Sequence, residues 1–93
     1  MMASVRIPTP LRKLSGDRDE INVNAVNISS LIEELEKECP GIKDRICDEQ
    51  GNVRRFINIY VNNEDIRFLD GSDTEIKEDD IVSIIPAIAG GFD

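Results

Sequence analysis

Two adjacent glycines, Gly90-Gly91, stand near the end of a chain of 93 residues, after Pro86-Ala87-Ile88-Ala89 and before Phe92-Asp93. Glycine has no Cβ, so a Gly-Gly segment is thin and takes extended conformations in channels too narrow for other residues. The stretch from Pro86 to Gly91 would reach roughly 20 Å when extended. A tail of this kind can deliver a carboxylate into the active site of another protein. Carboxylates are poor acyl donors until activated. Attack on the α-phosphate of ATP would give an acyl-adenylate that sulfide or a thiol can open. The tail would supply the substrate and the partner the catalysis. A glycine pair near a chain end is weak evidence by itself, because chain ends are often disordered; its force depends on the domain that carries it.

The remaining side chains offer little catalytic chemistry. There is no histidine, which removes the commonest general base and most nucleophile-base pairings. Cys39 and Cys47 form no CxxC pair, and without histidine the usual zinc-ligand sets cannot be assembled, so two buried, reduced thiols are expected. No catalytic residue and no metal ligand is assigned. Asp70-Gly71-Ser72-Asp73 resembles a calcium loop only superficially: the EF-hand spacing and its terminal glutamate are absent, and a solvated acidic loop over 70–80 is expected.

Composition bounds the rest. With 40% hydrophobic residues, 32% charged, three phenylalanines, one tyrosine and no tryptophan, the chain reads as a small globular domain with an aliphatic core. A chain of this mass buries roughly two thirds of the surface it exposes when unfolded, enough for one core. The net charge of −8 repels phosphate backbones and anionic lipid, and Arg12-Lys13 and Arg54-Arg55 are too short for a basic stripe. Nucleic acid and membrane are therefore not expected as partners, and a basic protein groove is. The N-terminal stretch lacks the apolar segment of a secretory signal and no run is long enough to span a bilayer, which predicts a cytoplasmic address.

The elements that must position the tail are legible from periodicity. Ala3 to Ile7 alternates as a half-buried strand, and Pro8 and Pro10 stop its ladder. After the turn signal Ser15-Gly16-Asp17, Glu20 to Asn24 alternates again, with Ile21 and Val23 on one side, as the partner strand of a hairpin. Ile28, Leu31, Ile32, Leu35 and Cys39 form the stripe of an amphipathic helix. Asn27 or Ser30 caps its start, Ser30 with Glu33 fits a capping box, and Pro40-Gly41 ends it. Ile42 to Val53 reads as a connecting loop with room for a short helical turn. Phe56 to Val61 is the strongest strand, with Ile57, Ile59 and Val61 facing the core and Phe56, Asn58 and Tyr60 facing away. Asn62 to Asp65 is turn chemistry, Ile66 to Phe68 a short return strand, and Ile81 to Ile85 the last strand, with Val82 and Ile84 inward and Ser83 and Ile85 outward.

This order predicts an α+β fold of the ubiquitin-like β-grasp type: a mixed sheet of about five strands with one main helix packed on one face and the last strand beside the first. Residues 1–85 would form the β-grasp domain and 86–93 a flexible tail with the diglycine and a removable dipeptide. Phe56, Tyr60, Ser83 and Ile85 would form a partner-binding surface on the sheet face opposite the helix.

Four segments carry a family resemblance: RIPTPLR at 6–12, LIEELE at 31–36, FINIYVNNEDIRF at 56–68 and VSIIPAIAGG at 82–91. Together they make nearly the whole chain similar to the sulfur-carrier branch of the ubiquitin-like proteins, the family of the molybdopterin-synthase small subunit and the thiamine sulfur carrier. Within it the chain most resembles the carrier of thiocarboxylate-dependent cysteine biosynthesis. The resemblance implies a non-enzymatic protein whose Gly91, as a free terminal residue, is adenylated by an E1-like activating enzyme and converted to a thiocarboxylate. Gly90 and Ala89 would be read by that enzyme. No cofactor would be bound; ATP and a sulfur source would be used by the partner. The acceptor would be a sulfur-accepting enzyme, in the nearest relatives a pyridoxal-phosphate cysteine synthase. Family members that work as encoded end at the second glycine, whereas Phe92-Asp93 follows here, which implies cleavage between Gly91 and Phe92 by a zinc-dependent deubiquitinase-like metallopeptidase. Two alternatives use the same residues differently: a ubiquitin-like modifier joined through Gly91 to lysines of target proteins, and a β-grasp interaction module that never uses its terminus.

Overall fold

The computed structural model describes residues 1–86. The tail residues Ala89, Gly90, Gly91 and Phe92 lie outside them.

Strand β1 (Met2–Arg6) pairs antiparallel with β2 (Glu20–Asn24), from Met2 opposite Asn24 to Arg6 opposite Glu20. Helix α1 (Ile28–Glu38) and the short α2 (Ile42–Ile46) follow, then β3 (Ile57–Val61), the two-residue β4 (Glu64–Asp65) and β5 (Ile81–Pro86). The sheet order is β2-β1-β5-β3-β4. β5 is central, parallel to β1 and antiparallel to β3. The expected mixed five-stranded β-grasp sheet, with its last strand beside its first, is the fold observed.

One aliphatic core lies between the sheet and α1. Ala3, Val5, Ile21, Val23, Ile57, Ile59, Val61, Val82 and Ile84 enter it from the strands, as the period-2 pattern requires, and Ile28, Leu31, Ile32 and Leu35 from the helix. Each valine, leucine and isoleucine among them contributes roughly 1.5–3 kcal/mol by leaving water. Cys39 and Cys47 are free and buried, and burial pushes both thiols up from their ordinary pKa.

Four local features differ from the sequence expectation. The helix is capped by Asn27, whose Oδ1 accepts the Ser30 N–H at 2.8 Å while Ser30 Oγ accepts the Asn27 N–H at 3.2 Å. The capping box is therefore Asn27 with Ser30, not Ser30 with Glu33; Glu33 instead pairs with Lys43. Second, Pro8 and Pro10 stop β1 but also start a 3-10 helix, Thr9–Ser15, since proline's fixed φ suits a first helical turn. Its last residue, Ser15, is fully buried, and its Oγ lies 2.9 Å from the Arg12 carbonyl and 2.6 Å from that of Arg18.

Third, the return strand lies at Glu64-Asp65, earlier than Ile66–Phe68. Asn62 and Asn63 both take positive φ, 51° and 76°, which closes a two-residue hairpin with Val61 opposite Glu64. Asp65 then accepts the Arg67 N–H at 2.8 Å and coils Ile66–Phe68 into a 3-10 turn with Ile66 in the core. Fourth, the acidic segment 70–80 is anchored rather than wholly solvated: Thr74 and Ile76 are buried, Thr74 Oγ1 accepts the Asp70 N–H at 3.1 Å, and the Ile76 N–H bonds the Val26 carbonyl at 2.9 Å.

The α1–α2 junction is held by one carboxylate. Glu36 accepts the Gly41 N–H at 2.9 Å and the Lys43 N–H at 2.8 Å, and these bonds hold its pKa below the ordinary 4.5. Because the folded value is lowered, the stabilisation is present above the unfolded value and is lost as pH falls through the folded one. Glu36→Gln should lower the melting temperature at neutral pH and flatten its decline below about pH 4.5. Parallel melting curves for the two proteins across that range would contradict this.

Candidate interaction surface and tail exit

The registers fix which side chains share the sheet face turned away from α1. Tyr60 stands opposite Ser83 on one side and Asp65 on the other, and Ser83 is opposite Arg6, which is opposite Glu20. One row therefore runs Glu20, Arg6, Ser83, Tyr60, Asp65 across all five strands. A second pairs Asn58 with Ile85, and a third runs Asn22, Ser4, Ile81, with Ser4 Oγ 2.8 Å from Asn22 Oδ1.

Of the residues expected on this face, Ile85 is 47% exposed, and Tyr60 and Ser83 are half-buried by their neighbours. Phe56 is 43% exposed but lies in the turn just before β3, not within the strand. Ile57, Ile59, Val61, Val82 and Ile84 are all buried. The structure thus brings Tyr60, Ser83 and Ile85 onto one face and puts Phe56 at its margin. Ile81 and Met2 were missed: both are exposed on the same face, and the alternation that placed Ser83 and Ile85 outward, continued backward, would have found Ile81.

The tail leaves from the centre of this sheet. β5 ends at Pro86 opposite Ile57, so the diglycine follows, after three intervening residues, the strand that carries Ser83 and Ile85. Among the described residues no group of three or more His, Cys, Asp or Glu side chains could hold a metal ion. No helix among them is long and apolar enough to cross a membrane.

A five-stranded β-grasp sheet closed by a central last strand defines a ubiquitin-like domain. More particularly, residues 5–91 match the ThiS family, and the chain belongs to that family. It is 41% identical to the sulfur carrier protein CysO of Mycobacterium tuberculosis, over 98% of this chain and 100% of that one. Its structure superposes on that of the Amycolatopsis orientalis BexX/CysO complex with a TM-score of 0.90, at 39% identity, covering 96% of this chain and 99% of that one. It is also 33% identical to small archaeal modifier protein 3 of Haloferax volcanii, over 69% of this chain and 68% of that one. Its relatives thus include both sulfur carriers and small modifiers.

Proposed function

We propose that this chain is a cytoplasmic sulfur carrier whose Gly91, freed by removal of Phe92-Asp93, is adenylated and converted to a thiocarboxylate that donates sulfur in cysteine or related biosynthesis. The supporting observation is end-to-end similarity to a sulfur carrier, together with a family match whose last residue is Gly91. In the first step the Gly91 carboxylate attacks the α-phosphate of ATP on an E1-like enzyme and pyrophosphate leaves. Hydrosulfide then displaces AMP, the C–S bond forming as the bond from the carbonyl carbon to the phosphate oxygen breaks. The carrier contributes the nucleophilic carboxylate and a rigid sheet that presents it; the enzyme contributes the catalysis. A metallopeptidase would generate Gly91, and a sulfur-acceptor enzyme, such as a pyridoxal-phosphate cysteine synthase, would consume the thiocarboxylate. The similarity of this chain to one from the BexX/CysO complex supports a carrier that works by docking to other proteins.

The test is intact-mass analysis of residues 1–91 incubated with the E1-like enzyme, ATP and sulfide. Replacement of one oxygen by sulfur at Gly91 is expected. A second reading, conjugation through Gly91 to target lysines, draws on the similarity to the archaeal modifier. It would give higher-mass conjugates in cell lysates that disappear when Gly91 is deleted. Activity that tolerates substitution of Gly90 and Gly91 would instead favour an interaction module that does not use its terminus.

A further inference from the structure

Against a net charge of −8, three arginines gather where β5 ends. Because β1 and β5 are parallel and β3 runs against them, the last residue of β5, Pro86, and the first of β3, Ile57, share one end of the sheet. Arg54-Arg55 precedes β3 there, with Phe56 between. Arg67 is held against the same segment, its Nη2 donating to the Ile57 carbonyl at 2.8 Å and the Arg55 carbonyl at 3.2 Å. Arg54 is fixed by its Nε, which donates to the Asp44 carbonyl at 3.1 Å. None of the three guanidinium groups forms an ion pair among the described residues, where the salt bridges join Arg18 to Glu38, Lys37 to Glu34 and Lys43 to Glu33. From Gln50 to Asn63 the sequence holds no acidic residue; Asp48 and Glu49 line a cleft with Arg54, which leaves Arg55 and Arg67 as the more outlying positive charges. The opposite end of the sheet carries Glu64, Glu78, Asp79 and Asp80.

Apolar surface accompanies these arginines. Phe68, next to Arg67, is 87% exposed, and Leu69 and Phe56 are exposed beside it in sequence or at the start of β3. A phenylalanine left almost wholly in water on a 3-10 turn whose other large apolar side chain, Ile66, is buried is not explained by the core. Arginine and aromatic side chains are also the types that dominate interface energetics.

We infer that Arg54, Arg55 and Arg67, with Phe56 and Phe68, form a docking edge for an acidic protein surface with an apolar centre, the rim of the channel that receives the tail. The inference rests on the carrier reading above and adds the sign and place of the complementary surface. It reverses the expectation from net charge: the partner should be acidic at the mouth of the channel, because that is where this edge arrives when the tail enters. Charge complementarity at such a rim orients the encounter and raises its rate more than it tightens the complex.

The experiment measures association of the 1–91 form with the E1-like enzyme by stopped-flow, comparing Arg55→Glu and Phe68→Asp with Lys77→Glu. Arg55 and Phe68 are exposed and make no side-chain hydrogen bond in the described structure, so both variants should melt with the parent, and a melting curve for each checks this. Lys77→Glu makes the same change in net charge as Arg55→Glu at an exposed position on the acidic end. The expected result is an association rate about tenfold lower for Arg55→Glu, with a weaker salt dependence, and little change for Lys77→Glu. Phe68→Asp should weaken binding about tenfold or more, mainly through faster dissociation. Equal slowing by Arg55→Glu and Lys77→Glu, or normal binding by both Arg55→Glu and Phe68→Asp, would overturn the docking edge while leaving the carrier reading intact. Retention of the parent chain by a single-stranded oligonucleotide at physiological salt, lost in Arg55→Glu, would overturn it in favour of nucleic acid. Failure of the parent itself to bind the enzyme would overturn both readings.

Discussion

Residues 1–93 should show no oxygen-for-sulfur exchange under conditions that convert residues 1–91 completely. Adenylation requires a carboxylate beside the α-phosphate of ATP, and in the longer form Gly91 has none: its carbonyl is an amide to Phe92. The carboxylate at Asp93 follows a phenyl ring, and its own side chain adds a second negative charge close to a triphosphate. A channel shaped for diglycine cannot take a phenyl ring without repacking that typically costs 1–3 kcal/mol or more. Since the reacting atoms must also be held in near-attack geometry, displacement by two residues removes the reaction rather than slowing it. The measurement is intact mass after incubation of each form with activating enzyme, ATP and sulfide, followed by treatment of the longer form with the metallopeptidase. Equal conversion of the two forms would reject the precursor.

The second large effect is expected at Ile85. Its side chain stands outward on the central strand, 47% exposed, opposite Asn58 and one residue before Pro86, the end of β5. Ile85→Glu should leave the melting temperature almost unchanged, because it removes no buried atom from the core, and should abolish binding to the activating enzyme by placing an unpaired charge in a desolvated contact. A loss of about 2 kcal/mol or more in binding, a factor of roughly thirty, separates this from a peripheral effect. Tyr60→Asp is expected to act in the same direction but less cleanly. Tyr60 lies directly across from Asp65, and two carboxylates at facing positions destabilise a strand pair. Calorimetric titration with the activating enzyme and melting of the free variants distinguish the outcomes. Unfolding of Ile85→Glu would mean that this face packs against something within the chain; wild-type affinity would remove the sheet face from the interaction.

How much of this was legible in the sequence depended on whether one pattern or several decided a residue's place. Strand parity alone placed Ile57, Ile59, Val82 and Ile84 inward and Ser83 and Ile85 outward, and the helical stripe alone placed Ile28, Leu31, Ile32 and Leu35 in the core. Where signals competed the reading slipped. Pro8 and Pro10 were read as a stop, yet proline both ends a ladder and starts a turn, so the 3-10 helix carrying buried Leu11 and Ser15 was missed. Asn62-Asn63 is a complete two-residue turn, but a four-residue one was read, which moved the return strand by two positions. Ser30 serves as the third residue of a capping box begun by Asn27, and a hydroxyl can play either part in such a box. The diglycine was visible as a motif. The docking edge was not, because net charge sums over the chain, whereas Arg54, Arg55 and Arg67 meet only once the Asn62-Asn63 turn brings residue 67 back beside residue 57.

The position of β5 in the middle of the sheet also sets when the protein can come into being during synthesis. Without it, β1 and β2 make one hairpin and β3 and β4 another, and no strand hydrogen-bonds across the gap between them. The pairing of β5 with β1 joins Ser4 to Ile81, near the two ends of the chain, so it is among the last to form and carries the loop-closure cost of nearly the whole sequence. A ribosome must therefore release the final strand before a stable sheet exists, and Gly90 and Gly91 are translated with only three residues between them and the end of that strand. A chain whose synthesis stops at or before the strand that completes the sheet therefore also stops short of the diglycine, so under the proposed function the tail would be offered for activation only once the whole sheet has been made.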